Sequence, residues 1–176
     1  DGISMFCDDT RDSIKGSVFI AAEGGYVNGK ERLSAGILSA TDGWLDGKGA
    51  YEPRNASQLI PYVSAHDNYT LWDKLKLSDP KRKEDTEPDF DKMDERTLSM
   101  NRLAAGIVMT CKGMPFFQAG EEFARTKHGE GNSFKSSWQL NKIDTRLRAG
   151  RAGGLLPWSS RSAPKISGIR NVRAGL

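Results

Sequence analysis

Three short clusters gather the side chains of this sequence that could act on a ligand: Asp8-Asp9 with Arg11 and Asp12, His66-Asp67-Asn68, and Gln118 with Glu121-Glu122. The middle cluster is the densest. A histidine, a carboxylate and an amide in consecutive positions set hydrogen-bond donors and acceptors side by side, an array suited to a polyhydroxylated ligand. A two-carboxylate glycosidase mechanism is compatible with such a set, although spacing alone does not say which pair would serve. The outer clusters also have plain structural explanations, Asp8-Asp9-Thr10 as the cap of a following helix and Glu121-Glu122 as the exposed polar end of a strand. Tyr62, Tyr69, Trp72 and Trp44 would offer stacking faces to a sugar, with core packing the stronger expectation for Trp72. Cys7 and Cys111 each lie in an apolar stretch and are expected as buried thiols. Their spacing suggests no metal site, and neither metal nor cofactor is expected.

Each cluster stands just after a strand candidate. Ile3 to Cys7, Leu59 to Ser64 and Met114 to Gln118 are short apolar runs, the second weakened by Pro61, which would have to sit at its start. One helical turn is expected at Arg11–Gly16, a short helix at Glu31–Ala40 through Leu33, Ile37 and Leu38, and a turn or helix at Tyr69–Leu77. The clearest helix is expected over Phe90–Met109, with Met93, Leu98, Met100, Leu103, Ile107 and Val108 as its apolar stripe and Asp91 or Asp94 in its first turn. Strand, short helix, strand, long helix, strand is the order of parallel βα units, so the fold class is α/β. Three strands do not close a barrel. Either the sheet is small and open, or the chain is part of a larger (β/α) fold whose site lies at the strand C-termini.

Bulk properties narrow the function classes. The 176 residues are 37% hydrophobic, with a mean hydropathy of -0.58, a polar balance that leaves little apolar material for a full core. The net charge of +3 does not describe the body, because residues 145–176 hold seven basic residues and no acidic one. Without that tail the chain is net acidic, which argues against nucleic acid as a partner. There is no run of about 18 apolar residues, so no membrane partner is expected. The opening Asp1-Gly2-Ile3-Ser4 shows neither an initiator Met nor a leader pattern and reads as a cut end. No compartment is specified.

Beyond these readings, the run Tyr62-Val63-Ser64-Ala65-His66-Asp67-Asn68-Tyr69-Thr70-Leu71-Trp72-Asp73-Lys74-Leu75 resembles the fourth signature region of type I pullulanases, in glycoside hydrolase family 13. Gly106 to Thr110, with Gly113-Met114-Pro115-Phe116-Phe117-Gln118-Ala119-Gly120-Glu121-Glu122-Phe123-Ala124-Arg125-Thr126-Lys127, is similar to the helix and strand that follow in that family, and Asp8 to Gly16 to an earlier segment. The resemblance runs in order over about residues 1–144. It implies part of a (β/α)8 TIM barrel, approximately strands six to eight with their helices, from a retaining enzyme that cleaves α-1,6-glucosidic branch points in pullulan, limit dextrin and related α-glucans. By the same resemblance Asp67 is the carboxylate that stabilises the transition state, and His66 and Asn68 bind substrate. The nucleophile and the general acid would lie outside this chain, so the chain alone is expected to be inactive. Two alternatives stand beside this one: a non-catalytic α-glucan-binding remnant, and another debranching enzyme of the glycogen-debranching or isoamylase type.

The resemblance fails after Lys142-Ile143-Asp144, where Thr145 stands in place of the expected Trp and the Gly, Ser and Arg content climbs. Residues 145–176 are expected to be an atypical basic tail, disordered or shifted in reading frame. Codons for Gly154–Ser159 can be written that, one base along, spell Asp-Tyr-Tyr-His-Gly, similar to the family's continuation.

Overall fold

The structure is a computed structural model, and it describes residues 2–83 and 86–143. The expectations for the basic tail lie outside the described residues. What is described is mostly helical. Strand β1, Met5–Phe6, leads directly into helix α1, Asp8–Lys15. A 3-10 turn at Tyr26–Asn28 and helix α2, Ser34–Thr41, follow; after a second 3-10 turn at Ala56–Gln58 comes strand β2, Leu59–Ile60. Helices α3, Leu71–Leu77, and α4, Glu95–Thr110, precede 3-10 turns at Glu121–Phe123 and Ser133–Lys135, and the short α5 covers Trp138–Asn141.

β1 and β2 pair in parallel, Met5 with Leu59 and Phe6 with Ile60. The third expected strand, Met114 to Gln118, does run beside β2, but only one-way bonds hold it. Met114 N donates to Leu59 O and Phe116 N to Pro61 O, each at 3.0 Å, while Cys7 N takes Ile60 O on the other side. The carbonyls of β2 thus alternate between two neighbours as in a central strand, yet Pro61 has no N–H to return a bond to the 114–118 segment. The α/β expectation is therefore met only by a small two-stranded parallel sheet. Gly113 admits the close approach: its φ is +118°, and a Cβ there would stand 2.6 Å from Leu59 O.

The helices cover one side of this sheet. Cys7, Leu59 and Val63 join Ile14, Trp44, Leu71, Leu75, Ala104 and Val108 in a single buried cluster. Val63 is fully buried there, and both cysteines are buried free thiols. On the other side Phe6 meets Tyr62 and Phe116 edge to face, with ring centroids 4.9 and 5.1 Å apart. Ile3 and Phe6 are exposed, because nothing among the described residues covers this side of the sheet.

Local chemistry sets the helix ends. Thr70 caps α3 by accepting from Asp73 N, and Asp94 caps α4 by accepting from Thr97 N, so α4 begins five residues later than its periodicity suggests. Leu103 and Leu38, both expected on apolar stripes, are exposed instead. α1 is longer than the single turn expected, and its N-cap is Cys7. Asp8 and Asp9 lie in the first turn, where they favour the helix dipole without a side-chain cap bond.

Candidate functional site

The loop that follows β2 carries the densest of the three clusters. Ser64 is buried, and its hydroxyl donates to Glu121 Oε2 at 2.6 Å, tying the strand end to the turn after Gly120. The chain then bends through His66, Asp67 and Asn68, with Asn68 in the left-handed region at φ 56°. His66 and Asp67 are exposed. Among the described residues the side chains of His66, Asp67 and Asn68 make no hydrogen bond, so their donors and acceptors are free for a ligand.

Lys127 holds this loop from beneath. It is fully buried, and its Nζ donates to Asn68 O at 2.6 Å, Ser133 Oγ at 2.9 Å and, more weakly, His66 O at 3.5 Å. Desolvation lowers the Lys127 pKa and Arg125 adds to the effect; Asp73, Asp67 and Glu130 oppose it. Its backbone N–H donates to Asp73 Oδ2 at 2.7 Å, and Thr126 Oγ1 donates to Asp73 Oδ1. Burial raises the Asp73 pKa even though these donors favour its charged form.

The Asp8 cluster becomes an ion-pair network rather than an open site. Arg11 donates to Asp8 Oδ1 at 2.8 Å, to Asp12 Oδ1 at 2.6 Å and to Tyr62 OH at 2.8 Å, and Tyr62 OH donates to Asp8 Oδ1 at 2.7 Å. Burial pushes the Tyr62 phenol up to about 12, helped by its bond to Asp8. Burial works against the Arg11 charge, but Asp12 and Asp8 outweigh it and the pKa is raised. Asp9 turns away to accept from Ala50 N.

The third cluster corrects an expectation. Glu121 is not an exposed strand end: it is buried, and burial pushes its carboxyl up to about 7 against the Ser64 hydrogen bond and the charge of Lys15. Gln118 is buried too, whereas Glu122 is exposed and accepts from Gly120 N. Of the four aromatics, Trp44 and Trp72 are buried with their indole N–H groups bonded to Thr10 Oγ1 and Phe90 O, and Tyr62 is buried in the ion-pair network. Only Tyr69 keeps a partly exposed ring.

Sequence reasoning singled out neither Lys127 nor Lys74. Lys74 Nζ donates to Ile20 O, Ala21 O and Glu23 O within 3.0 Å, stapling the 17–25 loop to α3. A signal existed in the α3 sequence itself. Leu-Trp-Asp-Lys-Leu-Lys-Leu has no wholly polar face on so short a helix, which forces some of its charges inward.

No protein-family model matches the sequence. The pullulanase of Bacillus subtilis strain 168 is 36% identical to it over 148 residues, which are 81% of this chain and 19% of that enzyme. Among solved structures, the pullulanase of Paenibacillus barengoltzii in complex with maltohexaose and α-cyclodextrin superposes with a TM-score of 0.74 at 36% identity, over 88% of this chain and 23% of that one. Type I pullulanase of Bacillus subtilis complexed with maltose gives a TM-score of 0.74 at 33% identity, over 88% of this chain and 20% of that one. The chain spans about a fifth of the length of these relatives. With sequence and backbone agreeing over most of its length, the chain is a pullulanase homologue, corresponding to a small part of the pullulanase chain.

Proposed function

We propose that this chain supplies one wall of the substrate site of an α-1,6-glucan debranching hydrolase, contributing approximately strands six to eight of its (β/α)8 barrel. Asp67 is the carboxylate that grips sugar hydroxyls more tightly as the ring approaches its oxocarbenium-like transition state. His66 contacts the sugar whose bond is broken, and Asn68 lies toward the leaving side. The nucleophile and the proton donor come from residues outside this chain, and without them no glycosyl-enzyme intermediate forms and the leaving oxygen is not protonated.

The observation that carries this reading is the state of residues 66–68. They sit in the loop that follows the parallel strand β2 on its C-terminal side, the side where (β/α) sites are built. Two of the three are exposed, with side chains not committed to the described residues. Relatives crystallised with maltohexaose, α-cyclodextrin and maltose support an α-glucan as the ligand class.

Two measurements on the 176-residue chain test the proposal. Titrated with maltotriose, the labelled chain is expected to show amide shifts concentrated at 66–69, and Asp67→Asn to weaken binding about tenfold, the loss of one charge-assisted hydrogen bond. Incubated with pullulan, the chain is expected to release no reducing ends above the blank. Equal affinity in the two proteins, or turnover by the chain alone, overturns the reading.

A further inference from the structure

We infer that Lys127 is the positioning residue of the 66–68 loop: its buried ammonium fixes the backbone that presents His66 and Asp67. The inference rests on the sugar-binding reading for its purpose, but not for its geometry.

A loop normally keeps its shape through bonds of its own backbone. Among the described residues the backbone of 65–69 makes no hydrogen bond except the two from Lys127 Nζ, to Asn68 O and His66 O. Those carbonyls bracket Asp67. The strong bond, at 2.6 Å, fixes the peptide that follows the left-handed turn at Asn68, and the weaker one, at 3.5 Å, adds restraint to the peptide that precedes Asp67.

The ammonium is itself anchored. Ser133 Oγ accepts its third bond, and the Lys127 backbone is tied to Asp73 in the first turn of α3, the helix capped by Thr70 just after the loop. Loop, helix start and Lys127 therefore form a closed circuit in which each member holds the next. A buried ammonium is costly unless its protons find acceptors. Here a neutral isostere would leave the loop carbonyls with no partner and Asp67 without the positive charge beneath it.

The experiment reads loop order and sugar binding separately. In the isotope-labelled chain carrying Ile3→Lys and Phe117→Glu on the open side of the sheet to keep it monomeric, 15N relaxation at His66, Asp67 and Asn68 is expected to match that of α3 with Lys127 present and to report fast motion in Lys127→Met. The affinity for maltotriose falls tenfold or more at a temperature where circular dichroism shows the helices intact. Ser133→Ala, which removes one acceptor of the ammonium and neither loop carbonyl, is expected to loosen the loop and lower the affinity less than Lys127→Met does. Loop relaxation in Lys127→Met that equals the wild type overturns the inference, as does a wild-type loop as mobile as the variant's.

Should Lys127→Met fail to fold, the wild type alone decides. The Asn68 carbonyl 13C shift is expected to titrate with the same midpoint as Lys127 Cε, and a carbonyl that stays flat through that titration overturns the inference. A wild-type chain that ignores maltotriose defeats the sugar-binding reading, while relaxation and titration still judge Lys127.

Discussion

At the scale of single residues, buried ionisable groups hold together segments that lack regular structure. Lys74 gathers three carbonyls of the 17–25 loop, Lys76 bridges Lys92 O and Asp94, and Lys127 spans the 66–68 loop. Burial of a charge carries a cost at Lys15, Lys74 and Glu121. Desolvation lowers Lys15 to about 7 and Lys74 to about 8, and raises Glu121 to about 7. Glu121 is a carboxyl raised above its ordinary value, so its contribution to stability is complete near pH 4.5 and lost as pH climbs through 7. The lysines are lowered, so theirs is complete above about 10.5 and lost as pH falls through 8 and then 7. Thermal denaturation is expected to show a shallow minimum of Tm near neutrality, which Glu121→Gln removes from the acid side and Lys15→Met reduces on the alkaline side. A Tm that peaks at pH 7 and is unmoved by either change contradicts this. His66, Asp67 and Asn68 were legible in the sequence because consecutive polar groups after an apolar run stand out. The burial of Lys127 and of Glu121 was not, since it depends on neighbours 59 and 57 residues away in the chain.

At the scale of elements, position was easier to read than length. The order of candidates holds up to the long helix, the third strand being absent as a strand, and α4 is where the apolar periodicity places it, but its start is decided by one side chain. Asp94 accepts from Thr97 N at 2.8 Å and from the Thr97 hydroxyl, and it also pairs with Lys76. Asp94→Ala is expected to cost about 1–2 kcal/mol, seen as a lower urea midpoint, with Asp94→Asn retaining most of the cap. The segment at 114–118 that runs beside β2 was legible as an apolar run. Its incomplete ladder follows from Pro61, whose missing donor the sequence also displays, though only the structure shows that the donor would have faced this neighbour. Asp8 and Asp9 show the limit of local reading: the cap they suggested is displaced by one residue because Cys7 already leaves the strand.

At the scale of the whole molecule, the sheet is covered on the helix side and open on the other. Ile3 is 77% exposed, and Met5, Phe6, Met114 and Phe117 all stand above a third. An apolar surface of this kind drives association. The 176-residue chain is expected to self-associate at micromolar concentration in sedimentation velocity, and paired charges at Ile3→Lys and Phe117→Glu to restore a monomer; a monomeric wild type refutes this. The exposed edge was foreseeable from an apolar run in a sheet too small to close, but which apolar residues form it was not: Val63, three residues beyond β2, is buried under the helices. The buried lysines have a last consequence, for chemical labelling. Acylating reagents need an accessible, neutral amine, and Lys15, Lys74 and Lys127 are each sealed off from solvent. Their modification would then keep time with the opening of the chain, while surface lysines react at once, so that three sites out of the whole set serve as an internal clock for unfolding.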